Sequence, residues 1–493
     1  MRKSLLTKLS LLTAVSLTVS GIYCPTGRVL AADEVVEEDG SYDDYEDDSA
    51  SDNDYDDDYE DDDLTSDNDY DDEEQTGTKI SDMNLSNSEL ISFVENSDTN
   101  GDGYISASES EYITYLGVID AATQSELTQI LEVYTGITNL RWNSGTAKSI
   151  AFPTGNNIQQ LYLTTKASQQ VEISGISQKL TNVSYMAEGS KKYTFDFSKS
   201  STYKNANYVS ISGNQINGIK LPTSANVSLL DVLDTSVSKV SVSSAKVTSF
   251  GMYNNKKLKS VTVKKCSNLS SFALCGSLVS KLNISSCPKI SYLVCEDNKL
   301  TKLNVSQYKN LKSLYCGYNK IKSINISKNK KITSFSCNSN NLTSVNTAKN
   351  KQLSYFNCSN NKIKNLSVSS NSKLSSLSCY GNKFTKVNLK KNKQLTYMAV
   401  DKTYKLLSSF IPSVSKENKN YITISVKKGT KLNLVKYAPA LKNAKFSLEN
   451  KEEKDVTVSK KGIITVKKNK AYASGTVIAT LKKKEYHIRV MGV

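Results

Sequence analysis

The chain has 493 residues, 63 Lys+Arg against 49 Asp+Glu, and a net charge of +14. Its single histidine, His487, excludes most histidine-based acid–base, nucleophilic and zinc chemistry. Only four arginines are present, and bidentate arginine contacts dominate base readout, so nucleic acid is not an expected partner.

Residues 1–32 read as a secretory signal. Arg2, Lys3 and Lys8 form a charged start, an apolar stretch follows from Leu9, and Ala31-Ala32 supplies small residues for cleavage. The apolar stretch is short for a membrane span, and no other segment approaches the required length. Tyr23 before Cys24 argues against lipidation.

Residues 33–79 open with a run of Asp, Glu, Ser, Asn and Tyr. All 25 acidic residues between 33 and 74 stand without one basic residue. With these and the four basic residues of 1–32 set aside, residues 75–493 hold 59 basic against 24 acidic side chains, or +35. Like charge at this density opposes compaction, so the segment is expected to be disordered. It reads as a solvated tail, as a loose cation binder, or as a segment that folds back electrostatically on the basic body.

Residues 80–120 are expected to form a small helical, EF-hand-like cap. The string DTNGDGYISASE at 98–109 places Asp98, Asn100 and Asp102 at positions 1, 3 and 5 of a calcium loop. Gly103 falls at the sharp turn, Tyr104 offers its carbonyl, Ser106 acts through water, and Glu109 closes the loop as a bidentate ligand. Flanks 89–94 and 112–116 are helix-compatible. The expected cofactor is a structural Ca²⁺, with a metal-free turn as the alternative. A single loop suits a structural site better than a sensor.

Residues 121–400 are repetitive. Asn298, Asn319, Asn340, Asn361 and Asn382 recur every 21 residues, as do Cys295, Cys316, Cys337, Cys358 and Cys379. One unit runs Leu311-x-x-Leu314-x-Cys316-x-x-Asn319-x-Ile321-x-x-Ile324-x-Ile326. This is the pattern of a leucine-rich repeat, a β-rich solenoid in which each coil buries its apolar edge on its neighbours. The triplet extends upstream to Ile137/Leu140/Trp142 and ends at Leu395/Met398/Val400, giving twelve to thirteen coils, with the register least defined between 163 and 210. The asparagine amides are placed to satisfy inward backbone groups. The cysteines replace leucine as small buried hydrophobes and are expected to be free thiols.

Residues 401–420 break the period and read as a linker. Residues 421–493 show short alternating runs such as Ile422/Ile424/Val426 and Val477/Ala479/Leu481, the pattern of a small β-sandwich.

The stretch LKSLYCGYNKIKSINISKNKKITSFSCNSNNLTSV resembles the internalin-type leucine-rich repeats of exported Gram-positive proteins. The tail KDVTVSKKGIITVKKNKAYASGTVIATLKKKEYHIRV resembles a group-2 bacterial immunoglobulin-like domain, with Gly462 and Gly475 at turn and strand-entry positions. The resemblance implies a secreted or cell-surface protein that binds or adheres without catalysis, and it names no ligand.

In such a fold the strand's spacer positions face the concave surface. Three columns result, beginning at Tyr292, Val294 and Glu296 and repeating every 21 residues; none contains lysine, which gathers instead at the turns. Tyrosine with Ser and Asn makes an interaction-type surface. Tyr292, Tyr315, Tyr355, Tyr380 and Tyr397 are the expected ligand contacts, set against the plainer reading that a solvated sheet simply tolerates such residues. The expected function is therefore a monomeric, extracellular binding or adhesion protein for a protein or glycan. The alternative is an envelope protein held on anionic wall polymers by its lysines. No paired carboxylates, nucleophile–base pair or phosphate loop stands out, so an enzyme is not expected.

Overall fold

The computed structural model describes residues 77–401 apart from 385, 390 and 396, then 405–406 and most of 421–492. The signal-type segment, the acidic run up to residue 76, Cys24 and most of the linker lie outside the described residues.

The apolar triplets become strands. Each coil contributes one short parallel strand, from Asn139–Asn143 through Leu229–Leu233 and Ser313–Tyr315 to Tyr397–Asp401, thirteen among the described residues. Each strand pairs in register with the equivalent strand of the next coil, as Leu293↔Leu314, Leu314↔Phe335 and Phe335↔Phe356. At ~4.8 Å per strand the stack is about 60 Å long. Its pairings form an open ladder, with one further strand, Tyr115–Gly117, against the first coil. The inward positions fill the core: Leu140, Leu161, Val183, Leu230, Phe250, Phe272, Leu314 and Phe356 are each at most 1% exposed. Burying one such side chain contributes roughly 1.5–3 kcal/mol, so every coil is stabilised chiefly by its two neighbours.

The second triplet of each coil builds the opposite side. Lys239–Val242, Ser260–Lys264 and Lys281–Ser285 form a parallel sheet there, and shorter pairs precede it.

The stretch of loose spacing holds the longest coil of the array. Asn182 pairs with Tyr208, 26 residues on. The extra chain forms a 3₁₀ turn at Phe197–Lys199 and a short helix at Ser201–Asn205. Phe195, Phe197 and Tyr203, all 0% exposed, fill the widened interior against Tyr185 with edge-on ring contacts.

Before the first coil lie helices Ser88–Glu95 and Gln124–Val133. The segment 112–116, expected to be helical, is not. A helical turn forms only at the end of the loop, over Ala107–Ser110, and Tyr115–Gly117 is extended, pairing Tyr115↔Asn139. Pairing with the exposed edge of the array satisfies its backbone, and it buries Leu116 and Val118, which outweighs local helix propensity.

Glu126 fastens the two helices. It is 2% exposed; Oε1 accepts the N–H of Ser86 and of Asn87 at 2.8 and 2.7 Å, and Oε2 accepts the N–H of Thr123 at 2.7 Å. Burial opposes its ionisation, but these donors prevail and hold its carboxyl down at about 2. Its folded value lies below the unfolded ~4.3. The contribution is therefore complete above pH ~4.3 and is lost as pH falls towards 2. Glu126→Ala is expected to lower stability at neutral pH by about 3 kcal/mol, since several buried donors lose their acceptor. Denaturant titration checks this, and a loss under about 1 kcal/mol would contradict the role.

The expected boundary after residue 400 is not a break in the sheet. Tyr421–Val426 pairs parallel with Tyr397–Asp401, Met398↔Ile422, and on its other side with Lys484–Gly492. The latter turns back antiparallel on Ser474–Leu481, which pairs with Lys445–Leu448. A second antiparallel sheet, Lys431–Asn433, Ile463–Val466 and Val456–Val458, completes the tail. Val456, Ile464, Val466, Val477, Ala479 and Ile488 are buried. His487 lies in this tail, 3.0 Å from the Glu449 carboxylate.

Candidate binding face and loop

The outward side of the long sheet is made of the spacer residues. The turn that follows each strand fixes how flat this side is. Asp234, Asn254, Asp297, Tyr318, Ser339 and Asn360 have positive φ of 50–57°, and Gly276 and Gly381 take the equivalent place in their coils. A left-handed residue there bends the chain sharply, and in six of these eight coils the asparagine just after it, from Asn255 to Asn382, locks the bend. Asn319 Nδ2 donates to Cys295 O and Gly317 O at 2.7 and 3.0 Å, while its Oδ1 accepts the N–H of Leu300 at 3.0 Å. The asparagine ladder thus ties each coil to the preceding one. The left-handed column was missed from sequence because its residue types vary too much to form a motif.

The eight described cysteines are all buried, and none of them is in a disulfide. Burial raises the thiols of Cys295, Cys316, Cys337 and Cys358. Cys275 differs from the ladder. It lies in register with Tyr253 on the outward side, inside a second apolar cluster of Tyr253, Ala273, Cys275 and Val294 flanked by Leu233, Tyr292 and Tyr315.

The five tyrosines expected as ligand contacts are all partly exposed. Tyr292, Tyr315 and Tyr355 form a chain of rings, with centroids 5.8 and 6.5 Å apart. Burial pushes the Tyr355 hydroxyl up to about 12. Tyr380 and Tyr397 sit in the last coils. The third column is less open than its spacing suggests: Glu296, Asn338 and Ser359 are 3%, 5% and 0% exposed. Ser336 Oγ donates to Asn338 Oδ1 at 2.8 Å, and Ser359 and Ser378 hydroxyls are 2.8 Å apart. These side chains cover one another, and Val294, Ser336, Ser378 and Ala399 of the second column are buried as well, so the available surface is mostly the first column, joined by Tyr315, Asn357 and Tyr380.

Glu296 is the exception in chemistry. Burial pushes its carboxyl up to about 7, opposed by the Gly317 N–H and helped by Asp297.

At the other end, the loop 98–109 is closed by its own acidic side chains. Asp98 Oδ1 and Oδ2 accept the N–H of Gly101 and Gly103 at 2.7 and 2.9 Å. Asn100 Oδ1 accepts from Asp102 N and Asp102 Oδ1 from Tyr104 N. Gly101 and Gly103 have φ of +74° and +83°, values that favour glycine. Glu109 accepts from the N–H of Thr99 at 2.7 Å and of Ser106 at 2.9 Å, and the Ser106 donors first among these hold it down at about 2. Tyr104 pairs with Lys79 in a two-residue ladder. Among the described residues no group of three or more His, Cys, Asp or Glu side chains gathers with metal-holding geometry.

No family model matches the chain, and no curated protein does. Several solved structures are similar in fold. The functional domain of InlJ from Listeria monocytogenes, described as including a cysteine ladder, is 17% identical with a TM-score of 0.34, over 81% of this chain and 95% of that one. YopM, a leucine-rich effector protein from Yersinia pestis, is 14% identical with a TM-score of 0.39, over 62% and 86%. The APL1 leucine-rich repeat domain is 13% identical with a TM-score of 0.41, over 70% and 87%. Among the described residues no helix is long and apolar enough to cross a membrane.

Proposed function

We propose that this chain is an extracellular, non-catalytic binding protein that engages a protein or glycan with the outward side of its long sheet. The observation that carries this reading is the ring chain of Tyr292, Tyr315 and Tyr355 on a lysine-free side of a strongly basic body. Aromatic side chains on a rigid backbone lose little entropy on binding and dominate interface energetics. The test is capture of a partner from extracellular material by the full-length protein. Tyr292→Ala, Tyr315→Ala and Tyr355→Ala together should weaken capture by well over tenfold, each buried anchor contributing about 2 kcal/mol. Lys309→Ser, Lys330→Ser and Lys351→Ser should leave it unchanged. The reverse pattern would refute the reading.

That reverse pattern belongs to a second reading, adhesion to anionic wall polymers. Lys309, Lys330 and Lys351 are exposed and recur one per coil, a row of cations about 4.8 Å apart. Such binding is released by moderate salt.

For the loop at 98–109 we propose a structural Ca²⁺ held by Asp98, Asn100, Asp102, the Tyr104 carbonyl, Glu109 and, through water, Ser106. The donors are hard oxygens, which suit this ion, and Gly103 supplies the turn. Calcium competes with the Thr99 and Ser106 donors for Glu109, which places its affinity in the weak extracellular class, ~10⁻⁴–10⁻³ M. Asp98→Ala with Glu109→Ala is expected to abolish the calcium-dependent rise in melting temperature. An unchanged rise in that variant would remove the ligand role. The C-terminal pair of sheets is proposed to be the immunoglobulin-like module that the sequence resembles.

A further inference from the structure

The three outward columns between Asn139 and Asp401 hold four charged residues: Arg141 in the first coil, Asp401 in the last, and Asp231 and Glu296 between them. The two inner carboxylates share a construction. A Cβ on Gly251, which pairs beside Asp231 in the next coil, would overlap Asp231 Oδ1. A Cβ on Gly317, one coil beyond Glu296, would overlap Asn338 Oδ1 and come within 3.0 Å of Glu296 Oε1. These are the only glycines in the three columns. Each carboxylate therefore lies flat along the stack, in space that the missing side chain of the following coil leaves open.

Tyr208 donates its hydroxyl to Asp231 Oδ2 at 3.2 Å. Glu296 is only 3% exposed, and its Oε1 has no hydrogen-bond partner among the described residues. A buried carboxylate oxygen without a donor is costly to keep, and the neighbouring Asp297 adds a like charge. No cation of the described sheet face stands near it in these columns. Between the two carboxylates lie Leu233, Tyr253, Ala273 and Val294 of the second apolar cluster, with Tyr292 on the coil of Glu296 and Tyr315 one coil beyond it.

We propose that this stretch is a subsite for an extended cationic peptide segment of a protein partner, with one basic side chain on Asp231, one on Glu296, and apolar side chains on the cluster between them. The inference rests on the reading of this side as a binding surface. Three coil steps of ~4.8 Å and two residues along a strand separate the carboxylates by roughly 16 Å. An extended peptide covers that distance in about four or five residues at ~3.4 Å each. The absence of lysine from the columns keeps the site free of internal competitors, while lysines at the turns repel a cationic chain from the rest of the surface. A basic side chain supplies the donor that Glu296 Oε1 lacks.

The experiment selects a library of short randomised peptides against the full-length protein and against its Asp231→Asn, Glu296→Gln double variant. The expected result is enrichment of Lys or Arg pairs spaced about four or five residues apart around apolar residues. Those peptides should bind the double variant at least about tenfold more weakly. Their copies with glutamine for each basic residue should bind both proteins alike. Selection of peptides without basic pairs, or basic peptides indifferent to the double variant, overturns the proposal. If the selected peptides still lose affinity on Tyr292→Ala with Tyr315→Ala, the outward side binds but by other chemistry. If those substitutions also change nothing, the binding surface itself is elsewhere and both readings fall.

Discussion

Asn340→Ala is expected to lower the stability of the array by about 4 kcal/mol. Asn340 is 7% exposed and makes four hydrogen bonds that link two coils. Its Oδ1 accepts the N–H of Ile321 at 2.9 Å; its Nδ2 donates to Cys316 O at 2.9 Å, Cys337 O at 3.2 Å and Asn338 O at 3.1 Å. Alanine leaves a buried N–H and at least one buried carbonyl without partners, each at about 1–3 kcal/mol. Stability in a solenoid is a sum of coil and neighbour terms, so the damage falls on the interface between the coils of Asn319 and Asn340. Denaturant unfolding checks this, with exposed Lys330→Ala as a control that should stay within about 0.5 kcal/mol. A loss below about 1 kcal/mol for Asn340→Ala would mean that the ladder is not what holds the coils in register.

Glu296→Gln is expected to raise stability by an amount that is near zero at pH 4, grows as pH rises above ~4.3 and levels off above about 7. Burial is the main reason that the Glu296 carboxyl stands near 7 in the folded chain, against ~4.3 unfolded. For a carboxyl raised on folding, stability is complete below the unfolded value and declines as pH rises through the folded one. Wild type and variant should therefore match near pH 4. By pH 8 the glutamine protein should be more stable by up to about 4 kcal/mol, at ~1.4 kcal/mol per pH unit of difference. A difference independent of pH, or destabilisation at pH 8, would contradict the account. The gain in stability accompanies the expected loss of cationic peptide binding, since a residue retained against stability is characteristic of a site.

Much of this fold is legible in the sequence because the repeat makes each position speak many times. The spacing of Cys295 to Cys379 and Asn298 to Asn382 gives the coil length, and Leu311-x-x-Leu314-x-Cys316 gives which side chains point inward. The structure places those residues in register along one sheet. Legibility fails where the pattern is not periodic. The coil of Asn182 absorbs its extra residues in a helix packed by Phe195 and Tyr203, and no turn signal marks that. The segment at Tyr115 has helix-compatible residues, yet the open edge of the first coil captures it as a strand. Tyr421–Val426 continues the same ladder although the apolar period has ended, because backbone pairing needs no side-chain pattern.

The binding side was only half legible. The tyrosine column was found from spacing, but which positions are covered depends on neighbours one coil away. Ser359 and Asn338 look outward by register and are buried by the residues beside them. The carboxylate–glycine pairs were visible in principle, since Asp231 and Gly251 stand 20 residues apart and Glu296 and Gly317 stand 21 apart in one column. Recognising them requires the register to be carried upstream through coils of unequal length. The calcium loop is the opposite case. Its pattern is complete in sequence, while in the structure Asp98 and Glu109 spend their oxygens on the loop's own N–H groups.

The measurement closest to the central claim is hydroxyl-radical footprinting of tyrosine rings on the full-length protein, free and bound to a captured partner. Tyr112, 79% exposed and N-terminal to the first coil, serves as the internal reference. The account predicts that Tyr292, Tyr315 and Tyr355 become protected together while Tyr112 is modified as before. Unchanged modification of all three rings in a stable complex would place the partner elsewhere and contradict it.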